Sequence, residues 1–255
     1  MPPRKNQGET DLDEAREWFR SSDDVRTGYV SGVVFGVKPV EYSIVDGLAI
    51  FEGDIVLGSA ADIEAKPEMD FSELPISGDV ARGVVVVPER FRWPRCEIPY
   101  EIDASITNPQ LVRDAIAHWE QNTPMRFPLR TTANGAQYPN YVRFFRGDGC
   151  WSHVGMQGGR QDISLGTGCG FGPAVHEIGH AAGLWHEQSR EDRDRNIRIN
   201  WANIQAGREH NFNQHITDGD DVGGYDFGSI MHYGPTAFTS NGQPTITTLG
   251  GQGIG

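Results

Sequence analysis

Apolar residues recur at helical spacing in two stretches of the chain. Within Leu111–Trp119 the apolar positions share one helical face: Val112, Ala115, Ile116 and Trp119. The preceding Asn108-Pro109 pair predicts the cap and first turn of this helix. A second helix is predicted from Pro173 to about Ala182, and Gly183 predicts its end because glycine adopts a positive φ at no steric cost.

Short apolar runs predict β-strands in the remaining sequence. Strands are predicted at Tyr141–Phe145 and Ile163–Leu165, and a longer one at Trp93–Ile102 is predicted to be broken by its two prolines. Three further strand-like runs lie nearer the N-terminus: Tyr29–Val34, Tyr42–Val45 and Leu48–Phe51. The 32 glycines among 255 residues indicate many turns, which argues against a helical bundle.

The first part of the chain differs in composition from the rest. Asp11–Arg20 has the spacing of a short amphipathic helix. Ala60–Asp70 is acidic and Ser72–Asp79 contains turn residues, so both predict an extended linker. From Gly83 onward the sequence predicts one packed domain with a loop-rich tail. We therefore divide the chain into residues 1–82 and 83–255.

The charge balance argues against several classes of function. The 22 Lys and Arg residues against 35 Asp and Glu give a formal net charge of −13, which disfavours binding to nucleic acid or to anionic membranes. No apolar run approaches the roughly 20 residues of a membrane-spanning helix. The polar N-terminus also lacks the apolar region of a signal peptide. Three cysteines are too few for a disulfide scaffold, although Cys150 and Cys169 could close one loop.

Three histidines and a glutamate have the spacing of a catalytic zinc site. His176 and His180 are four residues apart on the predicted helix, so both imidazoles project from one face. Glu177 lies beside the first ligand, and a turn at Gly183 would bring His186 back as a third ligand. Three protein ligands leave a position for water, which is typical of catalytic zinc. A charged helix face would explain the two histidines and the glutamate on the helix. It would not explain Gly183 and His186 at the required spacing.

A second motif, Ser229-Ile230-Met231-His232-Tyr233, lies downstream. Together with the histidine motif and the Glu187 that follows it, this pentapeptide resembles the astacin family of secreted zinc endopeptidases, a branch of the metzincins. Further segments are similar to that family: Pro88–Arg90, Trp93-Pro94, Ile98–Tyr100, His118–Glu120, Cys150–Gly155, Asp192–Asp194 and Tyr225–Phe227. The resemblance implies an α+β metzincin fold with a twisted mixed sheet, an active-site helix and a methionine turn.

The resemblance implies a role for each matching residue. His176, His180 and His186 would bind one Zn²⁺, and Glu177 would be the general base. Tyr233 would be a movable zinc ligand that stabilises the oxyanion, and Met231 would form the hydrophobic floor of the site. Glu187 would pair with the N-terminus created by activation, and Cys150 and Cys169 would form a disulfide.

The segment before the catalytic domain resembles a short propeptide of a bacterial-type proenzyme. Phe51-Glu52-Gly53-Asp54 is similar to the family motif in which an aspartate binds the catalytic zinc. Asp54 is therefore predicted to cap the zinc and keep the enzyme latent, because a carboxylate is a good zinc ligand. An activating protease of trypsin-like specificity is predicted to cleave between Arg82 and Gly83, or one residue later.

Two alternatives compete with a latent astacin-like protease. A matrixin-like or adamalysin-like metzincin is disfavoured by Glu187 and Tyr233, and an inactive zinc-binding scaffold is disfavoured by the intact Glu177. We expect polypeptide substrates, a monomer, and a secreted or periplasmic location implied by the family and its disulfide. Relative to the family, the chain is predicted to lack a second disulfide and a C-terminal segment, which leaves Cys96 as a free thiol.

Overall fold

The computed structural model describes residues 19–31, 37–64, 91–214 and 223–254. Most of the predicted helix at Asp11–Arg20, the linker beyond Glu64, and the predicted cleavage site at Arg82 and Gly83 lie outside these ranges. The described residues form two four-stranded sheets and one two-stranded sheet. Among their helices, none has the length and apolar character needed to cross a membrane.

An antiparallel sheet with its strands in chain order forms the N-terminal segment (residues 19–64). Its strands are β1 (Val25–Ser31), β2 (Val37–Val45), β3 (Leu48–Phe51) and β4 (Ile55–Ser59). The bounds of β3 are those predicted, whereas β1 and β2 begin earlier than their predicted runs. The short helix α1 (Ala60–Glu64) follows β4, so the predicted linker is wrong for these residues. Ser59 Oγ accepts a hydrogen bond from the N–H of Asp62, which favours a helical turn here.

A mixed four-stranded sheet forms the centre of the C-terminal part (residues 91–254). Its strands are β5 (Tyr100–Ile102), β6 (Tyr141–Phe145), β7 (Cys150–Trp151) and β8 (Arg160–Leu165), in the order β5-β6-β8-β7. The first three in this order run parallel, and β7 pairs antiparallel with β8 at the edge. The predicted strand at Trp93–Ile102 is wrong over its first half, because Pro94–Cys96 forms a 3₁₀ turn.

Two helices pack against each other and against this sheet. They are α2 (Pro109–Asn122) and α3 (Phe171–Ala182), as the helical periodicity predicts. Pro109 occupies the first turn of α2, but the Asn108 side chain does not form the predicted cap. The indole N–H of Trp119 donates to the Val175 carbonyl at 2.9 Å and ties the helices together. A buried core of 17 residues, to which sheet and helices both contribute, encloses this junction.

The rest of the C-terminal part is rich in loops, as predicted. Its regular elements are a two-stranded antiparallel sheet of β9 (Ile197–Ile199) and β10 (Ile246–Thr248). Single 3₁₀ turns occur at Gly135–Gln137, Glu187–Ser189, Arg193–Arg195, Trp201–Asn203 and Glu209–Phe212. A second hydrophobic core forms around β9 and β10 and includes Phe212 and Tyr233.

The N-terminal segment lies directly against the C-terminal part. The Val56 N–H donates to the Ser152 carbonyl at 2.8 Å, and the Ser152 N–H donates to the Asp54 carbonyl at 2.9 Å. This parallel bridge places β4 beside the end of β7, at the edge of the mixed sheet. An ion pair of 2.9 Å between Arg208 and Asp23 fixes a second point of contact. Residues 52–54, in the turn between β3 and β4, are thereby held over α3.

Candidate metal centre

Helix α3 presents two imidazoles from one face. The Nε2 atoms of His176 and His180 lie 3.0 Å apart, as their spacing of one helical turn predicts. Glu177 occupies the next position and its side chain is 2 % exposed. The Met231 side chain lies against the same helix, where a Cβ added to Gly179 would overlap Met231 Sδ. Gly179 therefore allows Met231 Sδ to approach the backbone of α3 closely.

A left-handed residue ends α3 and returns the chain to the site. Gly183 has φ 111°, and its N–H and that of Leu184 donate to the His180 and Gly179 carbonyls at 2.8 and 3.0 Å. The reversal brings His186 Nε2 to 3.2 Å from His176 Nε2. All three histidines predicted from the sequence thus converge on one point.

Each imidazole has a hydrogen-bond acceptor at its Nδ1 atom. His176 Nδ1 donates to the Ile230 carbonyl at 2.7 Å, and His180 Nδ1 donates to the Leu184 carbonyl at 2.8 Å. The partner of His186 Nδ1 is the Glu52 carboxylate, at 2.7 Å. Because carbonyl and carboxylate oxygens accept, the hydrogen sits on Nδ1 and the Nε2 lone pairs of His176 and His180 face the centre.

Asp54 completes the cluster from the N-terminal segment. Its Oδ2 atom lies 3.3 Å from the Nε2 atoms of both His176 and His186, and its Oδ1 atom lies 3.6 Å from His180 Nε2. The carboxylate is buried, with 3 % exposed. One ligand atom from each of these four residues lies within 4.8 Å of the other three.

Burial and the two carboxylates set the charge state of the site. Burial lowers the pKa of His180 to about 4, so this imidazole is neutral. Burial also lowers the pKa of His186, but the charges of Asp54 and Glu52 outweigh it and raise that pKa to about 10. Burial raises the pKa of Glu177 well above its usual range, and the charge of Asp54 adds to the effect. The carboxylates therefore create a potential that favours a cation at the point where the imidazoles meet.

The residues fit a tetrahedral zinc ion. Zn–N bonds of about 2.05 Å and tetrahedral angles place two nitrogen ligands about 3.3 Å apart, and the observed Nε2 separations are 3.0 and 3.2 Å. Three imidazoles with a carboxylate are a donor set that zinc accepts. Among the described residues, Asp54 Oδ1 and Glu177 Oε2 are buried without a hydrogen-bond partner. A cation beside these two oxygens would compensate the free-energy cost of burying them without a hydrogen bond.

Tyr233 lies at the rim of the same cluster. Its ring centroid is 4.7 Å from that of His186, and the side chain is 1 % exposed. Its hydroxyl donates to the backbone carbonyl of Glu52. Burial raises the pKa of the Tyr233 phenol well above its usual range, so the hydroxyl keeps its proton and remains a donor.

A cleft of about 420 Å³ adjoins the cluster on the Tyr233 side. Its described lining is mainly apolar and backbone, and the Phe19 ring borders it, with its centroid 4.8 Å from that of Tyr233. The cleft opens beside Glu177 and His176.

The remaining predicted residues occupy distinct places. Cys150 and Cys169 form a disulfide that joins β7 to the loop before α3, and Cys96 is a free, exposed cysteine. Glu187 Oε1 accepts the N–H of Asp226 at 2.8 Å, outside the histidine cluster. His232 is buried and shares a 2.7 Å hydrogen bond with the Tyr225 hydroxyl, so it is not part of the cluster.

Two contributors were not predicted from the sequence. Glu52 enters the sequence prediction only as part of the Phe51–Asp54 motif, yet its carboxylate is fully buried against His186. Gly179 has no predicted role within the histidine motif, although it makes room for Met231. The spacing of the motif carries no signal for either contact, because both partners are distant in the chain.

Comparisons with known proteins agree with this geometry. The Astacin family model, which describes a family of peptidases, matches residues 86–253. Blastula protease 10 of Paracentrotus lividus is 46 % identical over 207 residues, covering 78 % of this chain and 34 % of the relative. Meprin A subunit beta of Homo sapiens is 36 % identical over 208 residues, covering 79 % of this chain and 26 % of the relative. The chain thus spans about a third or less of the length of these two relatives.

A solved structure shows the same fold. High choriolytic enzyme 1, a hatching enzyme zinc-protease from Oryzias latipes, matches with a TM-score of 0.54 and 34 % identity, over 62 % of this chain and 80 % of that one. The family model covers the histidine cluster, Met231 and Tyr233 together. The predicted family is therefore confirmed: this chain belongs to the astacin family of peptidases.

Proposed function

We propose that this chain is a zinc endopeptidase held in a latent form. The observation that carries the proposal is the convergence of three Nε2 atoms beside a buried glutamate at the edge of a sheet. His176, His180 and His186 would hold the zinc. When bound, zinc supplies a Lewis acid that polarises the scissile carbonyl and makes water more acidic.

Glu177 is the group that moves protons. It follows the first histidine on α3 and is buried with one carboxylate oxygen unpartnered among the described residues. Its carboxylate is placed to accept a proton from the attacking water and then to donate it to the leaving amine. Removal of this carboxylate removes the proton carrier and leaves the three imidazoles in place.

Tyr233 is the group that stabilises developing charge. It keeps its proton, and its hydroxyl lies at the rim of the cluster next to His186. Once the Glu52 carbonyl is withdrawn, the phenol is available to donate a hydrogen bond to the oxyanion of the tetrahedral intermediate.

The outer edge of the mixed sheet, at β7, is the proposed place for the substrate. β4 occupies it now through the two hydrogen bonds between Ser152 and residues 54 and 56. An extended polypeptide would add to the same edge in the antiparallel direction, which leaves its scissile bond near the histidines. Substrate and β4 compete for one edge, so both cannot be bound.

Residues 1–82 are proposed to act as a propeptide that maintains latency. Asp54 would take the coordination position that the attacking water needs, and β4 would cover the substrate edge. An activating protease would cleave between Arg82 and Gly83. We also propose that the catalytic unit is a monomer and that the protein is exported to a secreted or periplasmic location. The Cys150–Cys169 disulfide is suited to such an oxidising compartment.

Casein hydrolysis before and after limited trypsin treatment tests the proposal. We expect activity only after cleavage, with loss on zinc chelation and recovery on zinc addition. Glu177→Ala should keep stoichiometric zinc and lose at least about 1,000-fold in turnover, since it removes the general base. The exposed Glu209→Ala is the matched control. A cleaved, zinc-loaded wild type without activity, or an active Glu177→Ala, would contradict the assignment.

A further inference from the structure

Glu52 connects the N-terminal segment to the metal centre at three points. Its carboxylate accepts hydrogen bonds from His186 Nδ1 and from the Ser189 hydroxyl, and its backbone carbonyl accepts one from the Tyr233 hydroxyl. The side chain has no exposed surface. A carboxylate so deeply buried persists only when specific partners compensate its lost hydration.

The backbone at Glu52 is shaped for these contacts. Its φ is 47°, in the left-handed region that non-glycine residues rarely adopt. This conformation falls in the turn between β3 and β4, immediately before the residues that cover the metal ligands. Residues in this region are maintained by the contacts around them and occur often at functional sites.

The three ligands differ in where their outer partners come from. His176 and His180 are oriented by carbonyls of Ile230 and Leu184, which belong to the C-terminal part. Only His186 is oriented by a residue of the N-terminal segment. Loss of that segment therefore removes the Nδ1 acceptor of one ligand and spares the other two.

We propose that Glu52 is a positioning residue of the metal centre in the uncleaved chain, where its carboxylate orients His186 and increases the retention of zinc. The N-terminal segment then holds the metal through an outer-sphere contact in addition to covering it with Asp54. This inference rests on the proposed zinc site. It assigns to the propeptide a second task, the retention of the metal until activation.

Zinc affinity of the full-length chain tests the role of Glu52. Zinc is titrated against a chromophoric chelator with wild type, Glu52→Gln and the exposed control Glu64→Gln, which removes the same charge from the same segment. Loss of an outer-sphere partner weakens metal binding about 10- to 100-fold. We expect that loss for Glu52→Gln and an unchanged dissociation constant for Glu64→Gln. Equal affinity of Glu52→Gln and wild type would overturn the proposal.

A second variant distinguishes the positioning role of Glu52 from a folding defect caused by Glu52→Gln. Ser189→Ala removes the other anchor of the Glu52 carboxylate and leaves His186 and Asp54 unchanged. We expect weaker zinc binding in the same direction, and no further loss when it is combined with Glu52→Gln, because both substitutions act through one contact. Fully additive losses would show that the two residues act independently and would overturn the proposal.

The cleaved enzyme supplies the last control. Wild type and Glu52→Gln yield the same polypeptide once the N-terminal fragment is cleaved and removed by chromatography, so their zinc affinities must converge. A difference that persists after removal would place the defect elsewhere in the chain and overturn the proposal. Failure of the proposed function gives another pattern: the uncleaved variants still differ in zinc affinity, but the cleaved, zinc-loaded enzyme hydrolyses no casein.

Discussion

Substitution of Asp54 separates the two proposed causes of latency. Asp54→Asn keeps the size of the side chain and replaces the carboxylate by a neutral amide, which is a weaker zinc ligand. The carboxylate is buried and lies 3.3 Å from two Nε2 atoms, so its loss removes the charged group that would bind the zinc. The contacts of β4 with Ser152 are unaffected by the change.

The expected size of the effect follows from that contact. A contact to a charged group contributes about 1.5–3 kcal/mol, and each 1.36 kcal/mol changes a population ratio about tenfold. The fraction of chains with an open centre should therefore rise about 10- to 150-fold. Phe51 still packs near Trp185, with ring centroids 5.9 Å apart, and β4 still covers the proposed substrate edge. We therefore expect activity that remains below that of the cleaved enzyme.

The assay compares uncleaved chains on a fluorogenic peptide. An Arg82→Gln background limits cleavage, and mass spectrometry verifies that each sample is intact. Asp62→Asn is the matched control, because Asp62 is an exposed carboxylate in α1. An intact Asp54→Asn chain that is no more active than wild type would refute the view that Asp54 contributes to latency. Activity equal to that of the cleaved enzyme would refute the contribution of β4.

Three further predictions concern stability. Gly179→Ala should lower the free energy of unfolding by about 1–3 kcal/mol, because the new Cβ would overlap the buried Met231 Sδ. Chemical denaturation measures this loss. Removal of the disulfide by Cys150→Ser with Cys169→Ser should cost about 3 kcal/mol for a loop of 19 residues, measured in the same way without reductant. Burial lowers the pKa of His210, so the unfolded chain binds this proton more readily and stability should fall as pH drops from 8 to 5. His210→Asn should reduce that slope, and an unchanged slope would contradict the assignment.

The sequence predicted the parts of the site that depend on local geometry. A spacing of four residues on α3 places two imidazoles on one face, and the left-handed Gly183 returns the third. Helical periodicity is also a local property, which explains why helices α2 and α3 could be predicted from the sequence. By contrast, the strand predicted at Trp93–Ile102 is wrong in its first half, because Pro94 removes a backbone donor and the chain turns before Tyr100.

No local sequence pattern predicts the contacts between the N-terminal segment and the C-terminal part. Glu52 and His186 are 134 residues apart in the chain, and an acidic residue in a turn is ordinarily solvated. The bridge between Ile55 and Ser152, together with the other contacts of the N-terminal segment, places that turn against α3 and makes a buried carboxylate favourable. This bridge therefore contributes to three effects: it covers the proposed substrate edge, brings Asp54 to the histidines, and helps to give His186 its outer partner. Because the three effects share this pairing, they are energetically coupled, and a substitution that weakens the β4 contact will lower zinc affinity and latency together.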